Sequence, residues 1–383
     1  MTTMLQGWAF TLVLFPILLN GGLQSAELPR ESASISSVSQ GNGNNLTLLF
    51  DYMPDPSAQV LATDVGSLPW GCIGQDKESY KTGKLDVLAI IKEVERRFGQ
   101  SPPKWMQLDC ESPFFKNLLC PRDSEEFRGA MQTMLETLRA MKARFPQCQW
   151  SFYGIPQVPY WVNKKGWGSL TDAERMAELT EVAERYAPLV DEMDWVSVSI
   201  YQMYDPKMVV PGSRTSLRGT PESVRHDGRV WRAAAVGLAK LMARGKPVLP
   251  TVFPYWSPSG IAPYCRVIPV EEFIADQIMP AVNAGADGFA LWTNADYRIR
   301  LVSSPDPEAM APKPERNFSF REWRAAFTAD YFNGQEPADW SSIETVRQLK
   351  SKVSQTLLSA LRAIRAIQIL SPRPPASGVD VRR

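Results

Sequence analysis

Short apolar runs alternate with longer amphipathic segments along most of the chain. The β-prone runs occupy six stretches, at residues 46–50, 105–108, 150–153, 195–201, 248–253 and 288–292. Apolar residues recur at the three- and four-residue spacing of a helix in five segments, at 85–98, 124–144, 171–186, 223–244 and 270–283. Parallel strands need a crossover connection, so helices placed between successive strands predict an α/β fold with a parallel sheet.

The number of strands and the lack of a phosphate loop narrow the fold class. One or two more strands are expected between residues 58 and 79 or near Ala309. No Gly-rich motif follows the first strand, which argues against the nucleotide-binding, doubly wound sheets. The sequence therefore predicts a TIM-like, distorted (β/α) barrel over residues 46–334.

The two ends of the chain differ from this pattern. Residues 8–19 are almost wholly apolar, so we expect a signal peptide over residues 1–26, with an uncleaved anchor or a wrongly assigned start of the chain as the alternatives. Export outside the cytoplasm is then expected, with no membrane span beyond that segment. A flexible lead-in should occupy 27–45. Residues 335–370 repeat apolar positions at helical spacing, as a helix packed on the barrel or a lone tail, and 371–383 should be disordered.

Charge and histidine content exclude several classes of function. The 42 Lys and Arg residues balance 41 Asp and Glu residues, so no electrostatic feature favours a nucleic-acid partner. The chain has 1 His, His226, which excludes multi-histidine metal sites and makes any histidine-dependent nucleophile rely on that residue. We expect neither a metal nor a cofactor.

A pair of carboxylates follows the second predicted strand. Residues 105–108 lead directly into Asp109, Cys110 and Glu111. Alternation along a strand puts Asp109 and Glu111 on one face, about 7 Å apart, and Cys110 on the other. Barrels carry their chemistry at the carboxyl ends of the strands, where two close carboxylates would hold one proton between them. This arrangement suits the acid catalysis of glycosidic cleavage.

Aromatic residues end four other predicted strands. They are Tyr153, Tyr201, Trp292 and the stretch of Phe253 with Tyr255. Sugar rings stack their apolar faces on such side chains, and tyrosine hydroxyls hydrogen-bond sugar oxygens. Together with the acid pair, these residues predict a polysaccharide-binding cleft at the barrel mouth.

Four stretches resemble the hyaluronidase family of glycoside hydrolases in order and spacing. They are residues 109–111, 150–156, 199–201 and 288–292, which read D-C-E, W-S-F-Y-G-I-P, S-I-Y and G-F-A-L-W. The resemblance covers roughly residues 46–331. It implies a distorted (β/α) barrel that cleaves β-linked N-acetylhexosamine polymers internally and with retention, with the substrate's acetamido oxygen as the nucleophile.

The same resemblance implies a role for each matching residue. Glu111 would be the proton donor, and Asp109 would hold and polarise the acetamido group. Tyr153 and Tyr201 would line the subsite of the reacting sugar, and Trp292 would form its floor. Two alternatives stay open: a non-catalytic carbohydrate-binding barrel, and a glycosidase with another substrate such as chitin.

Five cysteines, an odd number, leave at least one thiol free in an exported chain. Cys110 should point into the helix layer, and Cys148 lies at the opposite end of the barrel from the others. Of the remaining three, Cys72 and Cys120 are expected to form a disulfide between neighbouring loops, with Cys265 left over. The alternative is five free thiols in a reducing compartment.

Overall fold

A computed structural model describes residues 46–51, 53–202, 220–255, 267–293, 299, 302–304 and 320–370. The predicted signal segment, the lead-in, the tail, Ala309 and Cys265 lie outside the described residues. No helix within the described part of the chain is long and apolar enough to cross a membrane.

All the strands that the structure describes are parallel, as predicted. They are β1 (Thr47–Phe50), β2 (Ser67–Pro69), β3 (Gly71–Gly74), β4 (Trp105–Asp109), β5 (Gln149–Phe152), β6 (Thr251–Val252) and β7 (Gly288–Leu291). Hydrogen bonding joins them in two groups, in the orders β2-β1-β7-β6 and β3-β4-β5. Single-residue bridges to segment 196–200 connect β5 to β6 on one side of the barrel.

The other junction is a single bent stretch of chain. β2 pairs with β1, whereas β3, which begins two residues after β2 ends, pairs with β4. Trp70 lies between them and donates its backbone N–H to the Phe50 carbonyl at 3.1 Å. Counting 67–74 as one position, the described residues form a closed wall of seven parallel positions. The (β/α) barrel is thereby confirmed, with the additional strand inside the predicted 58–79 window.

The barrel interior has its own aromatic packing. Its cluster draws one residue from each of six positions around the wall and none from a helix: Leu49, Trp70, Trp105, Trp195, Leu249 and Ala290. The Trp195 ring meets the other two tryptophan rings edge-on, at centroid distances of 5.8 and 6.2 Å. We call these six residues the interior cluster.

The helices form the outer layer, and their bounds follow the sequence pattern closely. Ser124 caps α5 by accepting a hydrogen bond from the Phe127 N–H, and Thr171 with Glu174 forms a capping box on α6. The helices are α1 (Pro56–Asp64), α2 (Ser79–Thr82), α3 (Val87–Phe98), α4 (Phe114–Leu118), α5 (Glu125–Arg144), α6 (Asp172–Glu192), α7 (Pro221–Ala243), α8 (Val270–Phe273), α9 (Met279–Asn283), α10 (Phe320–Tyr331) and α11 (Ile343–Leu370). A π-helical turn, Ile274–Ile278, joins α8 to α9.

Helix α11 packs on the barrel rather than extending from it. Its apolar face is buried in the main core through Leu349, Val353, Leu357, Leu361 and Ile364. The Arg365 guanidinium donates hydrogen bonds to the carbonyls of Leu46, Val65 and Gly66, at 2.8 to 3.1 Å. The helix therefore anchors the entry to β1 and the turn before β2.

The predicted Cys72–Cys120 disulfide does not form. Cys72, Cys110, Cys120 and Cys148 are all free thiols. The prediction placed Cys72 after a strand, but it lies within β3 and packs against the interior cluster. Cys120 follows α4 and packs against the outer core, so the barrel wall lies between the two side chains. Cys110 is buried in that outer core, on the side opposite Asp109, as strand alternation predicts.

Candidate active site

The carboxyl ends of the strands bring the predicted site residues together. Asp109 ends β4, and Glu111 lies two residues further on. Tyr153 and Trp292 directly follow β5 and β7, and Tyr201 follows segment 196–200. These side chains lie at the same end of the barrel, because all of the strands run in one direction.

The acid pair is closer than strand geometry predicts. The carboxyl groups of Asp109 and Glu111 share a hydrogen bond, rather than standing about 7 Å apart as in a continuous strand. β4 stops at Asp109, so strand pairing does not fix the backbone at Glu111. The Oδ1 atom of Asp109 is buried and has no hydrogen-bond partner.

Burial favours the protonated form of this pair. It raises the pKa of Asp109 well above its usual value, and the neighbouring charge of Glu111 raises it further. The pKa of Glu111 is also raised by desolvation, although part of its side chain is exposed to solvent. Because the two carboxyls share a hydrogen bond, they titrate as a pair, and the pKa of each lies above its usual value.

Aromatic rings form a continuous wall beside the acid pair. The Tyr201 ring lies between Tyr153 and Trp292, and its centroid is 5.9 Å from that of each neighbour. The Tyr201 and Trp292 rings are stacked, with an angle of 5° between their planes. Phe253 contacts both Tyr201 and Trp292 at 5.4 Å. We call Tyr153, Tyr201, Phe253 and Trp292 the mouth cluster.

The two tyrosine hydroxyls of this cluster are both desolvated. The Tyr153 hydroxyl is 3.1 Å from the Ser199 Oγ, and the buried Tyr201 hydroxyl lies beside the Tyr153 side chain. Burial raises the pKa of each tyrosine, and the nearby charges of Glu111 and Asp109 add to the rise. The tyrosines therefore stay neutral and can donate hydrogen bonds to a ligand.

Side chains outside the mouth fix the strand ends. The buried Arg232 guanidinium donates to the Ile200 carbonyl at 3.0 Å and to the Gln202 Oε1 at 2.9 Å, and burial lowers its pKa to about 10. Asp51, at the end of β1, accepts hydrogen bonds from the Thr293 hydroxyl and N–H at 2.8 and 3.2 Å. These contacts hold the residues on either side of Tyr201 and the residue after Trp292.

Sequence reasoning missed three polar residues that follow strand ends. Asp51 follows the first predicted strand, so the rule that selected Asp109 would have found it. Gln75 and Tyr80 follow β3, whose position the apolar pattern did not resolve. The charges of Asp109 and Glu111 contribute to raising the pKa of Tyr80 after burial, which puts Tyr80 near the pair.

No group of three or more His, Cys, Asp or Glu side chains among the described residues is arranged to hold a metal ion. His226 lies exposed in the first turns of α7, where its ring is beside Gly168.

Comparison with known proteins finds similar barrels only among solved structures. No family model and no curated protein matches the chain. Bee venom hyaluronidase in complex with a hyaluronic acid tetramer is 13% identical, covers 72% of this chain and 98% of its own, and has a TM-score of 0.45. A monoclinic crystal form of that enzyme is 14% identical, over 72% of this chain and 99% of its own, with a TM-score of 0.40. The exo-beta-1,4-mannosidase of Opitutaceae bacterium strain TAV5 is 11% identical, over 78% and 60%, with a TM-score of 0.33.

Proposed function

We propose that the protein is an endo-acting glycoside hydrolase that cleaves β-linked N-acetylhexosamine polysaccharides with retention by substrate-assisted catalysis. Glu111 acts as the proton donor, and Asp109 holds the 2-acetamido group. Tyr153, Tyr201 and Trp292 bind the reacting sugar. The hydrogen bond between the two carboxyl groups is the observation that carries this proposal.

The contact between the carboxyls distinguishes the possible mechanisms. Inverting glycosidases separate theirs by about 6.5–9.5 Å to admit a water, and conventional retaining ones by about 5–5.5 Å, with the sugar between them. Two carboxyls in hydrogen-bond contact leave no room for an anomeric carbon between them. A nucleophile supplied by the substrate removes that requirement, because one carboxyl then donates the proton and the other orients the acetamido group.

Proton transfer between the acids prepares the donor. The two carboxyls share a proton in the free protein, and Glu111 must hold it to protonate the leaving oxygen. When an acetamido N–H donates to Asp109, it favours the ionised form of that carboxyl, and the proton passes to Glu111. The acetamido oxygen then attacks the anomeric carbon, the glycosidic bond breaks, and the leaving oxygen takes the Glu111 proton. Water attacks the resulting oxazolinium ring and returns its proton to Glu111.

The acetamido requirement gives the sharpest test. We would incubate the protein with hyaluronan, chondroitin and chitin oligosaccharides, each fully acetylated or chemically de-N-acetylated. Cleavage of an acetylated polymer alone is expected, because only that form carries the nucleophile. Proton NMR at early times should show the β-anomer of the new reducing end. Equal rates on both forms would contradict the mechanism.

Binding without turnover would point instead to a carbohydrate-binding barrel. Calorimetry with the same acetylated oligosaccharides measures binding independently of cleavage. The matched variants Glu111→Gln and Glu126→Gln separate site chemistry from a general loss of charge, since Glu126 lies exposed in the first turn of α5. Turnover should be lost in the first variant and kept in the second.

A further inference from the structure

Gln75 contacts the acid-bearing segment at two points. Its backbone N–H donates to the Asp109 carbonyl at 3.0 Å. Its side-chain Nε2 donates to the Ser112 carbonyl at 2.5 Å, from the other side of Glu111. One residue therefore holds both ends of a four-residue stretch, at the point where β4 has ended and strand pairing no longer fixes the backbone.

The side chain of Gln75 is buried, although Ser112 itself is exposed. Gln75 is 8% exposed, and its Oε1 has no hydrogen-bond partner. A buried acceptor without a partner carries a desolvation cost, typically about 1–3 kcal/mol. An apolar side chain of the same length would avoid that cost but would lose the hydrogen bond to the Ser112 carbonyl, which is the interaction that the amide supplies here.

The neighbouring chain reinforces the same segment. Gly83, the residue after α2, lies against Pro113, which directly precedes α4, and against Asn117 within α4. The Glu111 carbonyl accepts a hydrogen bond from the Phe115 N–H at 2.7 Å. The stretch after β3 therefore lies alongside the stretch after β4, and the Gln75 amide is its polar contact with the backbone next to Glu111.

We propose that Gln75 is the positioning residue of the acid pair, in which its side-chain amide holds the Ser112 carbonyl so that Glu111 turns back onto Asp109. The effect of Gln75 on turnover rests on the proposed function. Its effect on the separation of the two carboxyls does not. When the Ser112 anchor is lost, Glu111 is free to follow a more extended path. The two carboxyls then separate and titrate more independently.

The test variant is Gln75→Met, which keeps side-chain length and removes the amide. Carbon-13 NMR of carboxyl-labelled protein would follow the pair through pH 3–9, with assignments from Asp109→Asn and Glu111→Gln. The two apparent pKa values of the pair should lie closer together in the variant than in the wild type. On a cleaved glycan, kcat should fall about 10- to 100-fold, because small displacements of a catalytic group are costly, while KM stays within about twofold.

Gln277 provides a matched control. It is also a buried glutamine whose Nε2 donates to a carbonyl, that of Phe253 at 3.1 Å, and whose Oε1 has no partner. Gln277→Met makes the same chemical change at the backbone of Phe253 rather than at the segment that carries the acid pair, so it should leave the carboxyl titration unchanged. If Gln75→Met does not fold, Gln75→Asn replaces it, since an amide one methylene shorter cannot reach the Ser112 carbonyl.

The outcomes separate positioning from the proposed activity. A wild-type titration in the folded Gln75 variant, or equal changes in the Gln75 and Gln277 variants, would overturn the positioning role. If no glycan is cleaved but the titration changes only in the Gln75 variant, the positioning role holds and the proposed function fails.

Discussion

The interior cluster and the mouth cluster are both rich in aromatic rings, and three wall positions contribute to both, namely segment 196–200, β6 and β7 with the residues that flank them. β4 contributes Trp105 to the interior and Asp109 to the mouth, four residues later on the same face. Between these two levels, the Gln107 amide donates to Ser197 Oγ at 2.6 Å, and Ser197 Oγ is 2.5 Å from Thr251 Oγ1. The amino acids of the two clusters are similar, but only the mouth cluster lies beside carboxyl groups.

The comparison shows that position along a strand, rather than residue type, distinguishes packing from chemistry. Trp195 donates its indole N–H to the Gln149 carbonyl and is fully buried, whereas Trp292 is only partly buried. Both levels carry a buried polar atom without a hydrogen-bond partner, Asp109 Oδ1 at the mouth and the Trp70 indole nitrogen in the interior. Such atoms reduce stability in the free protein, and at the mouth a ligand can supply the missing hydrogen bond.

The largest effect is expected at Glu111. Glu111→Gln should reduce turnover by about 10²- to 10⁴-fold, because a positioned proton donor contributes that much. Its melting temperature should change little, since the side chain is partly exposed. Initial rates and a thermal melt on the same preparation check both statements. A rate equal to wild type on a cleaved glycan would mean that the mouth chemistry does not depend on this carboxyl.

Tryptophan deletions compare the two clusters directly. Trp105→Ala should destabilise the fold by about 3–5 kcal/mol, because it leaves a cavity in the closed barrel. Trp292→Ala should cost less stability and weaken oligosaccharide binding. Urea unfolding and calorimetry measure the two effects. Equal losses of stability in the two variants, with no change in oligosaccharide binding, would show that Trp292 contributes only to packing.

Asp109→Asn should stabilise the protein at neutral pH while turnover falls. Because the folded-state pKa of this acid is raised, the folded protein binds more protons than the unfolded chain above about pH 4, so stability decreases as pH rises from there to the folded-state pKa. Each unit of elevation corresponds to about 1.4 kcal/mol. Melting temperatures from pH 4 to 8 should fall less steeply in the variant. If the melting temperatures of the wild type and the variant depended on pH with the same slope, burial would not raise the pKa of Asp109.

The smallest effect is expected from reductant. With Cys72, Cys110, Cys120 and Cys148 all free, dithiothreitol should leave the melting temperature unchanged. A disulfide between Cys72 and Cys120 would contribute about 3–5 kcal/mol to the free energy of unfolding, so its reduction would lower the melting temperature measurably. A reductant-sensitive transition, with a linked peptide found by mapping, would mean that the interior thiol of Cys72 reaches a partner.

The sequence by itself determined the (β/α) order, the five main helices and the residues at the strand ends. Those depend on local periodicity and capping, as at Ser124 and Thr171, which act over a few neighbouring residues. It did not resolve 67–74 as a wall position, because that stretch is short and bent at Trp70, and its two halves pair with different strands.

Only the tertiary structure decided which of those residues meet. Asp109 and Glu111 share a hydrogen bond that strand alternation did not predict, because β4 stops at Asp109 and alternation carries no information beyond the last paired residue. Cys72 and Cys120 stay apart because the barrel wall separates them. Gln75 reaches Ser112 across 37 residues of chain through the parallel pairing of β3 with β4. Contacts between distant parts of a chain depend on register and closure, which no local pattern encodes.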